Sequence, residues 1–386
     1  MSAHAAPTAA PRLVSGDLRL VAPAPAHEQM LVELGRDEEC LRWGDASPTG
    51  APTQARSWTA VAAERWSERL PYSPRQWVVE VLREGVWRAA GTVEYRPDGH
   101  GAAEVGYAVH PAFRDNRVAV RALDLALEHA FTQDDVDTAR WRAEVGNWAS
   151  RRVAWRLGFS APLTVRGLLP GHGQERRPRD GWVASLRHDE ARTPAYPWLV
   201  VPTLEAGGVV LRPWRHTDAG RIVEACQDPV SQRYLPALPR PYGIGEAMAY
   251  VDRVRDSAAR GTELAWCVTE TGADVCVGSV ALFGLGTQPG QAEVGYLAHP
   301  QVRGRGLLTV AVQSACRYAL TSLTAGGLGL DRLLLRAAES NAPSRKVALA
   351  VGMTQTGRDR RAERLGDGTV EDMVRFDLLA GEITPL

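Results

Sequence analysis

The chain has 386 residues, 45% of them hydrophobic and 23% charged, with 45 basic residues balancing 45 acidic ones. That composition is ordinary for a globular protein and long enough for two domains. The neutral balance argues against nucleic-acid binding as the main activity, because neutralising phosphates needs excess basic charge. No apolar run approaches a membrane span, and no partner in a membrane is expected.

Residues 1–12 are rich in Ala and Pro, without the charged start and apolar core of a signal peptide. They read as a disordered tail. Next come a strand at Leu18–Val21, a helix near Glu28–Leu41 and another near Ser57–Leu70. Strands follow at Trp77–Leu82, Trp87–Tyr95 and Glu104–Val109, then a helix over Val118–Phe131. Trp141–Val145 reads as a strand, Ala149–Leu157 as a helix and Trp182–Leu186 as a closing strand. Residues 188–207 contain Pro194, Pro197 and Pro202 and read as a linker.

The order then repeats. Val209–Trp214 is a strand, and Thr217-Asp218 starts a helix reaching Cys226. A Pro/Gly loop over 236–245 leads into a helix at Glu246–Arg260. Strands at Leu264–Thr269 and Val275–Phe283 flank a turn, and Ala292–Ala298 is the next strand. Arg305–Leu320 reads as a half-buried helix, Leu333–Arg336 as a buried strand, Pro343–Ala350 as a short helix and Asp372–Leu379 as the last strand. The layout is α/β with a mixed, mostly antiparallel sheet flanked by helices in each half. The predicted domains are 13–187 and 208–386.

The repeat is also literal. Ala103-Glu-Val-Gly-Tyr-Ala-Val-His-Pro111 recurs as Ala292-Glu-Val-Gly-Tyr-Leu-Ala-His-Pro300, with seven of nine positions identical. The copies diverge immediately afterwards. The second continues Arg303-Gly304-Arg305-Gly306-Leu307 into a helix, whereas the first continues Arg114-Asp115-Asn116-Arg117-Val118. A glycine turn opening a helix is an anion cradle. Unpaired N–H groups and the positive helix end face the ligand, and glycine lets the backbone approach it. In the first copy a carboxylate and a long side chain take the glycine positions, which opposes phosphate sterically and electrostatically.

The segment Glu293-Val-Gly-Tyr296, His299-Pro300, Arg303 to Leu307, Asn341-x-x-Ser344 and Val351-Gly352-Met353 resembles the GNAT acyl-CoA N-acyltransferases. It is most similar to their RimJ/RimL branch, which acetylates ribosomal-protein N-termini and small amines. The first half shares Glu104-Val-Gly-Tyr107, Asn147-x-x-Ser150 and Gly158-Phe159. The family's turn reads Gln/Arg-x-x-Gly-x-Gly/Ala; here it reads Arg303-x-x-Gly306-x-Leu308, departing at the last position.

The resemblance implies a tandem acetyltransferase with its active site in the C-terminal domain, acetyl-CoA as donor, and a primary amine or peptide N-terminus as acceptor. The N-terminal domain is then expected to be non-catalytic. Arg303, Gly304, Arg305, Gly306 and Leu307 would hold the pyrophosphate. Leu297 and Ala298 would hold the pantetheine arm through backbone groups, with Asn341 beside them. Glu293 would be the base, or else a structural carboxylate, since Glu104 retains it in the other half. Ser344 would serve the leaving sulfur, or else only begin a helix. His110 and His299, each before a proline, read as turn residues. Tyr234 and Tyr242 are candidates for the acceptor pocket or for packing. Rival readings are two active domains, another acyl donor, a non-catalytic acyl-CoA-binding module, or a tRNA-dependent aminoacyl transferase. The five cysteines lack metal or disulfide spacing and fit a reducing cytoplasm. No metal is expected.

Overall fold

The computed structural model describes residues 9–44, 50–68, 70–171 and 177–383. The chain divides into two compact units, residues 1–196 and 197–386.

In the first unit, β1 (Leu13–Ser15) and β2 (Leu18–Val21) lead into α1 (Glu28–Leu34), α2 (Glu38–Trp43) and α3 (Pro52–Glu68). Then come β3 (Arg75–Arg83), β4 (Val86–Pro97), β5 (Ala102–Val109), α4 (Val118–Gln133), β6 (Thr138–Glu144), α5 (Trp148–Arg156), β7 (Leu163–Leu169) and β8 (Arg179–Arg187). The sheet order is β1-β2-β3-β4-β5-β6-β8-β7, with β5/β6 the parallel pair. Alternation along the strands sends Val93, Tyr95, Val105 and Trp141 into a core closed by α4 and α5. A smaller cluster under α1 and α3 covers the other face.

The second unit repeats the plan. It contains β9 (Leu204–Ala206), β10 (Val209–Pro213), α6 (Ala219–Gln227), α7 (Pro229–Tyr234), α8 (Ile244–Ala259), β11 (Glu263–Glu270) and β12 (Ala273–Phe283). It continues with β13 (Gln291–Ala298), α9 (Leu307–Leu320), β14 (Arg332–Ala338), α10 (Ala342–Ala350), β15 (Thr354–Arg364) and β16 (Val370–Leu379). The sheet order is β9-β10-β11-β12-β13-β14-β16-β15, and β13/β14 is parallel. Val280, Val294, Leu333 and Phe376 face α9 and α10, while Ile222, Tyr242 and Val251 pack under α6 and α8 with Leu297. The expected mixed sheets, one per half, are therefore present.

Local signals explain several differences from the sequence reading. The helix expected over Glu28–Leu41 is two helices. The first ends at Gly35, and Asp37 accepts from the Cys40 amide to start the second. Residues 1–8 of the expected tail lie outside the described residues, but Pro11 is anchored. Its carbonyl accepts from the buried Trp77 indole at 2.9 Å. Trp266 repeats this contact with the Pro202 carbonyl at 2.8 Å. The expected linker divides between the units: Trp155 donates to Tyr196 O at 2.8 Å, Leu199 N donates to Ala258 O at 2.9 Å, and 204–206 form strand β9.

Candidate active site

The site begins where two parallel strands part. β13 pairs with β14 only at Gln291–Arg332, Ala292–Leu333 and Glu293–Leu334, yet stays paired with β12 through Ala298. From Val294 onward one edge of β13 has no ladder to β14. Backbone polar groups left this way must be met by water or ligand. Leu297 and Ala298 lie on this free stretch. β5 and β6 part identically after Glu104–Arg140.

Beyond the strand, a turn of 3₁₀ helix at Pro300–Val302 leads to Gly304 (φ +80°) and Gly306 (φ +79°). Gly306 is the N-cap of α9 and offers no side chain to its first amides. An added Cβ at either glycine would meet nothing within 4 Å. The space over the turn is open, which fits a diphosphate approaching backbone N–H groups. Leu307 packs partly against the core under α9.

The arginines of the turn have other partners. Arg303 donates to Asp228 at 2.6 Å and to Ser231 at 3.0 Å, tying the turn to the start of α7. Arg305 forks onto both Glu270 oxygens at 3.0 and 2.6 Å. Burial opposes ionisation of Asp228, but the Arg303 hydrogen bond, the Ser231 amide and the Arg303 charge prevail, and its pKa lies below the ordinary value.

The first domain keeps the turn's shape without its glycines. Asp115 and Arg117, at the positions of Gly304 and Gly306, have φ +64° and +55°. Such left-handed non-glycine residues cost roughly 1–3 kcal/mol each. The lost glycines therefore change the side chains over the turn rather than its backbone. Arg114 matches Arg303, pairing with Asp37 at the start of α2 and with Glu39 at 2.9 Å.

Asn341 accepts from the Ser344 amide at 3.2 Å and so caps α10. The Ser344 hydroxyl donates to the Tyr296 oxygen at 3.2 Å, and the Tyr296 hydroxyl donates to Ser344 O at 2.9 Å. Burial pushes the Tyr296 phenol up to about 12, with the Ser344 contact opposing, so it stays protonated at neutral pH. Glu293 lies on the other face of β13, 3.5 Å from the Arg336 guanidinium and bordering a groove of about 310 Å³ that Thr356, Arg375 and Phe376 also line. Glu293 and Ser344 thus reach the strand opening from opposite faces.

Tyr242 is a core residue. Tyr234 instead sits within 3.2 Å of the Ser340 hydroxyl, next to Asn341. His299 has a turn role. Its Nδ1 accepts from the Gln301 amide and its Nε2 lies 3.1 Å from Glu224. Tyr296 belongs both to the repeat and to the segment that resembles the family. Its parity with the core residues Ala292 and Val294 was the available signal for its inward hydroxyl.

The first domain holds the corresponding Tyr107–Ser150 pair at 2.8 Å, with one addition. The Trp141 indole donates to both hydroxyls, at 3.2 and 3.0 Å, and closes a triangle. The strand register puts Leu335 at the matching position of the second domain. The first domain also has a cleft of about 870 Å³ running from its turn along β5 to Trp58 and Trp141. Among the described residues all five cysteines are free, no His/Cys/Asp/Glu group could hold a metal, and no helix is long and apolar enough to cross a membrane.

The acetyltransferase (GNAT) domain family matches residues 17–160 and 209–354, and the chain belongs to that family, twice over. A curated relative, the uncharacterized N-acetyltransferase p20 of Bacillus licheniformis, is 24% identical over 180 residues, covering 47% of this chain and 97% of that protein. Among solved structures, Mycobacterium smegmatis RimJ in complex with CoA-disulfide is 21% identical with a TM-score of 0.42, covering 48% of this chain and 89% of its own. The ribosomal-protein-S5-alanine acetyltransferase of Vibrio fischeri is 16% identical with a TM-score of 0.42, covering 48% and 100%. The family uses acetyl-CoA as its acyl donor, and the chain is an acyltransferase by membership.

Proposed function

We propose that this chain is an acetyl-CoA-dependent N-acetyltransferase that passes the acetyl group directly to a primary amine, with the reaction in the C-terminal domain. The observation that carries the reading is the open turn at Gly304 and Gly306 in the same domain as the Ser344–Tyr296 pair.

The first amides of α9, from Leu307 on, would hold the donor's diphosphate, with Arg303 and Arg305 shaping the turn from their carboxylate partners. Free backbone groups around Leu297 and Ala298 would hold the pantetheine arm. Asn341 caps α10 and thereby fixes Ser344. When bound, acetyl-CoA supplies an activated thioester carbonyl. Ser344 can then offer its O–H to the departing sulfur, while Tyr296, protonated at neutral pH, holds the backbone of Ser344. Glu293 would take the proton lost by the amine, directly or through water. The groove bordered by Glu293 and Arg336 suits a small amine or a peptide N-terminus entering from that face.

The N-terminal domain is read as non-catalytic. Its Ser150 hydroxyl is enclosed by Tyr107 and the Trp141 donor, whereas Leu335 supplies no such donor next to Ser344. The test is thiol release from acetyl-CoA across a panel of amines and peptides. Acceptor-dependent release, abolished by disabling the C-terminal turn, is expected. Binding of acetyl-CoA without turnover across the panel would favour a regulatory acyl-CoA-binding module.

A further inference from the structure

We infer that Cys267 and Cys276 are a redox-active pair that closes reversibly to a disulfide and, in closing, loosens the turn at Gly304 and Gly306. Cys267 lies on β11 and Cys276 on β12, and both are buried. A β-bulge brings them together. Val268 pairs with Gly278 and Thr269 with Cys276, so the ladder skips Val277. In a regular ladder Val277 would oppose Thr269. Cys276 would then fall opposite Glu270, on the far face of the sheet from Cys267. The bulge turns Cys276 onto the Cys267 face, where the two thiols share a hydrogen bond.

The first domain has the same bulge without thiols. There Val79 pairs with Gly91 and Glu80 with Ala89, and Ala90 is skipped. Val78 and Ala89 stand at the positions of Cys267 and Cys276, and both pack into apolar core. Thiols are therefore not required for packing at this place in the fold. A lone buried cysteine is a small hydrophobe; two in contact are a dithiol. The shared hydrogen bond, with burial opposing, lowers the Cys276 pKa. The same bond, with burial adding, raises that of Cys267. Cys276 is thus the sulfur that ionises first, and Cys267 the one that resolves. With hydrogen peroxide as oxidant, the Cys276 thiolate attacks one oxygen and breaks the O–O bond. That leaves a sulfenic acid and, once the departing hydroxide is protonated, water. The Cys267 sulfur then attacks the Cys276 sulfur, forming S–S and releasing the hydroxyl with the Cys267 proton as a second water. The thiols lose two electrons and the peroxide gains two.

The bulge is wired to the turn. Val277 O accepts from the His299 amide at 3.0 Å. Cys276 O accepts from Arg221 Nε at 3.1 Å, and the same guanidinium reaches Glu224 at 2.6 Å and Gln301 at 3.1 Å. Gln301 lies in the 3₁₀ turn that leads to Gly304, and His299 caps that turn. Glu270, one residue past Thr269, holds Arg305. Residues displaced diagonally across a ladder lie about 7–8 Å apart, whereas a disulfide holds its Cα atoms at about 5.5–6 Å. Closing the bond therefore draws in the Cys276 backbone that carries these contacts.

The consequence for donor binding rests on the reading of that turn as the acetyl-CoA site, so two of the readouts do not need it. The full chain is exposed to hydrogen peroxide and quenched with catalase. Thiols are then titrated in denaturant, cross-links are mapped by peptide mass, amide hydrogen exchange is followed, and acetyl-CoA is titrated by calorimetry. We expect two of the five free thiols to disappear. A single Cys267–Cys276 cross-link, two hydrogens lighter than the reduced peptides, should account for them, with faster amide exchange across residues 299–306. Affinity for acetyl-CoA should fall about fivefold or more, the scale of coupling between two sites, and return with dithiothreitol. Cys267→Val with Cys276→Ala copies the first domain. It should keep the fold and the affinity of the reduced protein, and should not respond to peroxide. A chain with no affinity for acetyl-CoA before oxidation fails the reading of the turn, while the cross-link and the exchange rates still decide the dithiol. Five surviving thiols, a cross-link to Cys226 instead, or a Cys267–Cys276 cross-link with unchanged exchange would overturn it.

Discussion

Ser344 and Tyr296 bind each other twice. The serine hydroxyl donates to the phenol oxygen at 3.2 Å, and the phenol donates to the serine carbonyl at 2.9 Å. The second bond needs no serine side chain, so the first turn of α10 stays tied to β13 when the hydroxyl is removed. Ser344→Ala should therefore fold normally. If the hydroxyl assists the leaving sulfur, kcat should fall on the order of 10²-fold or more while KM for acetyl-CoA changes little. Steady-state kinetics checks this. An unchanged kcat would leave Ser344 as a helix-start residue.

Gly304→Asp copies Asp115 of the first domain into the second. The fold should survive, because Asp115 already holds φ +64° there and a Cβ at Gly304 meets nothing. The carboxylate would lie over the turn that is read as the diphosphate site. Gly304→Asn has nearly the same shape without the charge. We expect KM for acetyl-CoA to rise about tenfold more in the Asp variant than in the Asn variant, a difference of roughly 1.4 kcal/mol. Equal KM values would remove the anion from this turn.

The duplication and most of the core elements were legible, because buried strands and half-buried helices impose periods that a single sequence displays. Strands β7 and β15 were not. The run Thr354–Arg364 is polar and largely exposed, and it is a strand only because it pairs with β16 at the sheet edge. Helix α7 falls between the expected helix ending at Cys226 and the expected loop from 236, although Asp228-Pro229 is a sound start signal. Six residues are too few to show a period. Within the site, the glycines were legible because the turn demands positive φ. The partner of Arg303 was not, since Asp228 lies 75 residues earlier and only the fold brings them together. The same holds for Trp141, whose indole reaches the Tyr107 and Ser150 hydroxyls only through the fold.

The Arg303–Asp228 pair recurs as Arg114–Asp37, which points to a structural role in fixing the turn. Asp228→Asn keeps an acceptor for the Ser231 amide and loses the charge. The pair is partly exposed, so the stability loss should be about 1 kcal/mol, read from the shift in a urea midpoint. With the turn less firmly held, KM for acetyl-CoA should rise while kcat stays within about twofold. A fall in kcat at constant KM would contradict the positioning role.

His299 should make the C-terminal domain sensitive to mild acid. The side chain is 2% exposed, with Nδ1 accepting from the Gln301 amide. That leaves the proton on Nε2, facing Glu224. Burial first, and then the charge of Arg221, lowers its pKa below 6.5; Glu224 opposes and Arg303 adds to the lowering. A depressed imidazole pKa means that the unfolded chain takes up a proton before the folded one does. Stability is then fully present above the ordinary imidazole value and falls as the pH drops through the window beneath it. It levels off once the pH is below the folded value. Protonation would also turn the Nδ1 acceptor into a donor facing the Gln301 N–H. His299→Gln retains a polar side chain of similar reach and does not titrate. Urea midpoints of wild type should decline between about pH 6.5 and pH 5, where free imidazoles charge. The variant should show a shallower decline across the same range. Parallel curves for the two proteins would assign the acid sensitivity to other groups.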